Sequence, residues 1–125
     1  MTDITSDYPY PQDSLHGAPT AAELVEAVRE WLERDVSPQV EGRLRFHTRV
    51  AVNVLATVGR ELELAEAQED AHRARLERLG VGSERELADA IRAGAFDERT
   101  DELVTALRET VTDRLRVANP RYLED

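Results

Sequence analysis

The chain contains no cysteine and no lysine, and among its 125 residues there are only one tryptophan and two phenylalanines. Without cysteine there can be no disulfide framework, no thiolate nucleophile and no thiolate metal site, and a reducing, cytoplasmic setting is expected. Without lysine there can be no Schiff-base catalysis and no phosphate loop of the kind that ends in Gly-Lys-Ser/Thr. No run approaches the roughly 18 apolar residues of a membrane span, and the N-terminus lacks the basic-then-apolar layout of a signal peptide. No segment alternates with period two for long enough to make a strand.

What is present is charge, mostly negative. All 16 basic residues are arginine, set against 26 acidic ones, for a net charge of −10. Phosphate contacts dominate non-specific nucleic-acid affinity, so this balance argues against DNA or RNA as a partner. No internal repeat of fixed period is visible.

In chain order, residues 1–19 carry Pro9, Pro11 and Pro19 with no apolar periodicity and are expected to form a flexible arm. Residues 20–123 are expected to form one helical domain. Thr20 followed by Glu23 is a capping box, and it opens a helix with Leu24, Val25, Ala27, Val28, Trp31 and Leu32 on one face. Trp31 is thus expected to be buried. Arg29 and Arg34 offer partners to the glutamates of the other face. The segment Asp35-Val36-Ser37-Pro38 ends this helix, because the residue before proline avoids helical geometry. A second helix is predicted from about Gly42 or Arg43 to Glu63, with Val50, Ala51, Val54, Leu55, Val58 and Leu62, and also Leu44, on the inward arc, and a third from about Ala65 to Leu79. Gly80 closes the third. Ser83 and Glu86 cap a short fourth helix that Gly94 ends, and Asp97 or Thr100 caps a fifth that stops at Asn119-Pro120. The fold class is all-α, a compact bundle of about five helices.

Three groups of residues merit attention as chemistry. The first is the stretch EGRLRFHTRVAVNVL, residues 41–55. Arg45, Arg49, Asn53 and Arg60 fall within about 80° on the helix wheel, away from Val54 and Val58. They are either the solvated back of the helix or a site for a carboxylate, an anionic ligand or a protein partner, since guanidinium forks bind such groups bidentately. Val52 and Ala56 share that side, which favours a covered face, and Arg45, Arg49 and Asn53 are the candidate binding residues. Arg43 and His47 lean towards the valine face and read as a structural polar cluster, for which Asp35 or the glutamates of the first helix are the natural carboxylates. The second group is Glu69 and His72, half of the ligand set of a di-iron bundle. Only one such motif is present, so no metal and no cofactor is expected. The third is Arg114, which sits among Leu107, Val111 and Leu115 and is expected to form a core ion pair with a carboxylate. No nucleophile elbow and no spaced acid–base pair is found, so the residues name no catalytic group.

The segments AAELVEAVREWLERDV, GRLRFHTRVAVNVL and AIRAGAFDERTDELVTALRETVTDRLRVANPRYL resemble a bacterial family of small helical proteins described as a domain of unknown function. The resemblance runs over about residues 17–123. Members of that family are often encoded beside acyl-CoA dehydrogenases and kinases similar to aminoglycoside phosphotransferases. The resemblance implies a cytoplasmic accessory protein near acyl-CoA metabolism, and Arg43, Arg45, Phe46, His47, Arg49 and Asn53 match its most distinctive motif. Two functions are open at this point. One is a non-catalytic protein that docks on the dehydrogenase, the kinase or a second copy of itself as a homodimer. The other is a binder of, or an enzyme acting on, a small anion such as an acyl-CoA or a phosphorylated acyl group.

Overall fold

A computed structural model describes residues 15–124. Most of the expected flexible arm, residues 1–14, lies outside the described residues. The described chain is all-α, with no strand, and four α-helices follow one another: α1 (Ala21–Trp31), α2 (Gly42–Leu79), α3 (Glu84–Arg92) and α4 (Thr100–Ala118). Among the described residues no helix is long and apolar enough to cross a membrane. The second and third expected helices are one. Residues 60–68 hold neither glycine nor proline and consist largely of strong helix formers, so nothing interrupts the backbone where the apolar pattern changes register. The chain divides into two compact units, one ending at Glu63 and the other beginning at Leu64.

In the first unit, Thr20 caps α1 as its spacing predicts. Its hydroxyl accepts from the Glu23 N–H at 3.3 Å and donates to the Glu23 carboxylate at 3.1 Å. The α-helix ends at Trp31, earlier than Asp35, and a wider π turn (Leu32–Val36) followed by a 3-10 turn (Ser37–Gln39) carries the chain to Gly42. The polar back of α1 is internally paired, with Arg29 bridging Glu26 and Glu33 and Arg34 lying 3.8 Å from Glu30. Helix α1 meets α2 where Val25 faces Gly59: a Cβ built on that glycine would stand 4.0 Å from Val25 Cγ1. A short connection and a contact between residues 25 and 59 make an antiparallel helical hairpin. The half-buried residues agree, with Ala22, Val25, Leu32 and Val36 on one side and Ala51, Val52, Leu55 and Ala56 on the other, around a buried Thr48.

That arrangement corrects the expected inward face of α2. Val50, Val54 and Val58 are exposed, and so is Trp31, at 55% of its surface. The covered stripe is the one spaced 48, 52, 55, 59, whose small residues let the helices approach closely. The larger valine stripe is left in solvent.

The second unit has a true core. Leu76 and Leu79 of α2, Leu87 of α3, Phe96 of the turn between α3 and α4, and Ala106 of α4 are buried together, with Val81, Ala90 and Leu103 packed against them. Gly80 ends α2 at φ +80°, a left-handed conformation open to glycine, and lets the Val81 N–H reach the Leu76 carbonyl at 3.0 Å. Ser83 caps α3 by accepting from the Glu86 N–H at 3.1 Å, and the Glu86 carboxylate accepts from the Gly82 N–H at 2.7 Å. Neither Asp97 nor Thr100 caps α4. Arg99 stands at the cap position without a side-chain cap, and the Thr100 hydroxyl donates back to the carbonyls of Phe96 and Asp97. The first turn is instead clamped by a two-pronged Arg99–Glu102 pair at 3.0 Å, and the Arg99 hydrogen bonds hold the Glu102 carboxyl below its ordinary range.

The contrast between the units predicts where truncation hurts. Phe96→Ala should destabilise by about 3–5 kcal/mol, because Phe96 is 4% exposed and its site is closed on all sides. Trp31→Ala should cost less than about 1 kcal/mol in dilute protein, since an exposed residue leaves no cavity. Urea titrations of the two variants followed by circular dichroism provide the comparison.

Candidate functional site

The candidate residues of α2 lie on its solvent side. Arg43, Arg45, Phe46, His47, Arg49 and Asn53 are all exposed. Arg43 Nε donates to His47 Nε2 at 3.3 Å, one turn along the helix, and the His47 ring meets Phe46 edge-on at 5.6 Å between centroids. No carboxylate of α1 and no Asp35 joins them, so the expected ion pairing of Arg43 with α1 is absent among the described residues. His47 is not a core histidine, because the face it shares with Val50 and Val54 is uncovered. Arg45 and Arg49 form no ion pair among the described residues, whereas the α1 arginines are both engaged. Val52 and Ala56, whose presence beside these arginines suggested cover, are half-buried.

The exposed apolar groups of this unit form two stripes. Leu24, Val28 and Trp31 lie on α1; Leu44, Phe46, Val50, Val54, Val58 and Leu62 lie on α2. At 100° per residue, Leu24, Val28 and Trp31 stand roughly 60–120° round α1 from Val25. Val58 and Val54 stand about 100–140° round α2 from Gly59, in the same rotational sense. In an antiparallel pair, equal displacements from the contact line emerge on the same side. Leu24, Val28 and Trp31 therefore share one face of the hairpin with Val54, Val58 and Leu62, and Val50 and Phe46 continue the α2 stripe round to the side that faces away from α1.

The second unit holds a polar cluster that the sequence reading largely missed. Arg75, rather than Arg114, is the buried arginine, its side chain 7% exposed. Arg75 Nη2 donates to Asp113 Oδ2 at 3.1 Å and Nε donates to the Thr110 hydroxyl at 3.0 Å. Gln68 Nε2 donates to the Asp113 backbone carbonyl at 2.8 Å, so α2 and α4 are tied at two levels. Arg114 does find the expected carboxylate, with Nη2 at 2.6 Å from Glu84 Oε1, but at the surface, where it is 68% exposed. The same Glu84 oxygen lies 3.2 Å from His72 Nε2. These groups line a cleft of about 580 Å³ with Glu69, Ser83 and Arg85. The signal that could have identified Arg75 is its spacing: 68, 72, 75, 76 and 79 fall on one side of a helix, and Arg75 is the cation among them.

The cleft has few chemical options. His72 Nε2 faces a carboxylate, and Nδ1 is buried without a hydrogen-bond partner. A general base must present a free ring nitrogen to its substrate, and here the unpaired nitrogen is the inaccessible one. Glu69 is exposed, and the carboxylate at the histidine is Glu84 of α3. Among the described residues no three His, Asp or Glu side chains converge in a geometry that could hold a metal ion.

A family model described as "Domain of unknown function (DUF6285)" matches residues 38–122. The chain belongs to this family. No curated protein and no solved structure matches it. The DUF6285 match begins at Pro38, so it takes in α2, α3, α4 and the arginine cluster and leaves α1 outside.

The Arg75–Asp113 tie should be structural. Arg75→Ala strands a mostly buried carboxylate and should cost about 3 kcal/mol, whereas Arg114→Ala removes an exposed pair and should cost less than about 1 kcal/mol. Chemical denaturation of both variants, with Asp113→Ala completing a double-mutant cycle, measures the difference.

Proposed function

We propose that this protein is a non-catalytic accessory that works by presenting the open face of its N-terminal hairpin to another protein. The observation that carries this reading is the exposure of Leu24, Val28, Trp31, Val54, Val58 and Leu62 on one face, continued round α2 by Val50 and Phe46. Soluble monomers rarely leave contiguous apolar patches of several hundred Å² open to water, and an aromatic–aliphatic centre with arginine beside it has the composition of an interface core. The paired histidine of the other unit supports the non-catalytic part of the reading. The resemblance to proteins encoded beside acyl-CoA dehydrogenases and phosphotransferase-like kinases makes those enzymes the candidate partners, in the bacterial cytoplasm and near acyl-CoA metabolism.

A second reading is favoured by one specific observation. Among the described residues Arg45 and Arg49 have no carboxylate partner, in a chain of net charge −10, and beside Asn53 they could hold the phosphates of an acyl-CoA or a phosphorylated acyl group. The two readings predict different variants. Val54→Glu should abolish co-purification with a co-expressed dehydrogenase or kinase while leaving helicity and thermal midpoint nearly unchanged. Arg49→Glu should abolish calorimetric binding of a CoA thioester if the anion reading holds. If wild-type protein captures neither enzyme and Val54→Glu alters no association, the docking reading is wrong.

A further inference from the structure

We propose that the occupant of the hairpin's open face is a second copy of this chain, docked antiparallel about a two-fold axis beside Val52. The proposal rests on the docking reading above and assigns its partner.

Size is the first argument. The eight exposed apolar side chains of the face present together roughly 700 Å², taking about half of each side chain's full area, with aromatics at 150–250 Å². A standard interface buries about 800 Å² per partner, so this face with a narrow polar rim is of the size a stable dimer needs.

Pattern is the second argument. Along α2 the open stripe runs Arg43, Phe46, Val50, Val54, Val58, Glu61. Arg43 and Glu61 are separated by five full helical turns, so they project in the same direction from opposite ends of the stripe, about 27 Å apart. Reversing the helix about Val52 sets Val50 against Val54 of the second copy, Phe46 against Val58, and Arg43 against Glu61. The stripe is complementary to its own reverse, as an isologous two-fold contact requires. Both charged ends are available: Arg43 is exposed and bonded only to His47, and exposed Glu61 forms no ion pair among the described residues. On α1, where residue 25 stands level with residue 59, the same operation brings the Trp31–Leu32 region of the two copies together, and two hairpins facing each other make four helices around one apolar seam.

The test is sedimentation equilibrium of the full chain over a concentration series, with Trp31 emission recorded in parallel. The expected wild-type result is a dimer at micromolar concentration, with Trp31 becoming shielded from iodide as the dimer forms. Arg43→Glu and Glu61→Arg should each weaken dimerisation about tenfold or more, and the two together should restore it, because opposite charges again meet across the axis. Val54→Glu should weaken it about a hundredfold with helicity intact. A chain that is monomeric at all concentrations overturns the proposal. If Val54→Glu then still abolishes capture by a co-expressed dehydrogenase or kinase, the docking reading survives and only the identity of the occupant falls. A dimer indifferent to Val54→Glu, or a double variant no better than either single one, overturns the proposal. So does a Trp31 shielded in the monomer, which would mean that the chain's own residues cover the face.

Discussion

An α-helix can be covered on one side by one neighbour, and the stretch of α2 from Gly42 to Glu63 is apolar on more than one side. Most of what is distinctive in the first unit follows from that mismatch. Helix α1 takes the side that carries Thr48, Val52, Leu55 and Gly59, because small residues there allow close approach. The bulkier stripe of Phe46, Val50, Val54 and Val58 is left without a neighbour from this unit. The cost of exposing such a stripe, on the order of 1 kcal/mol for each half-exposed side chain, is recovered only when something covers it.

The second unit solves the same problem differently. Its segment of α2 is covered by α3, α4 and the turn carrying Phe96, and the core of leucines and phenylalanine is closed. Its one buried cation among the described residues is matched by Asp113 and Thr110, and the Gln68 contact to the α4 backbone lies two turns away along α2. Geometry this specific sets which residues of α2 stand opposite which residues of α4, something that hydrophobic burial, being non-directional, does poorly. The polar chemistry of this unit is thus spent on holding helices in register. His72 belongs to that set: its carboxylate partner comes from α3, and Glu84 ties it to Arg114 of α4.

The arginines divide accordingly. Those of α1 and most of the second unit are paired with carboxylates of their own unit, whereas Arg43, Arg45 and Arg49 stand on the open side of α2 without one among the described residues. In an acidic chain, with carboxylates in excess, the missing partners are a matter of placement and not of supply. The DUF6285 match takes in this stretch, where the unit's own packing makes the least use of the arginines.

The all-α class, the capping of α1 by Thr20 and of α3 by Ser83, and the glycine ends at Gly80 and Gly94 were legible in the sequence, because each depends on residues within a turn or two of one another. Helix amphipathicity was legible too, but only as a set of apolar directions. Which direction faces a neighbour depends on the neighbour, and for α2 the expected arc held Val50, Val54 and Val58 together with Ala51 and Leu55, of which packing covered only the Ala51 and Leu55 edge, shifted towards Gly59. The same limit misplaced Trp31, His47 and the buried arginine: Arg75 and Arg114 both lie at inward spacing, and only the approach of α4 to α2 decided that Arg75 would be enclosed and Arg114 left at the rim. The apparent break near residue 64 has the same origin, since a change in apolar register looks like the end of a helix although no residue there interrupts the backbone. Local conformation is written in nearest neighbours along the chain; burial and pairing are properties of segments far apart in sequence, and only the folded chain brings those segments together.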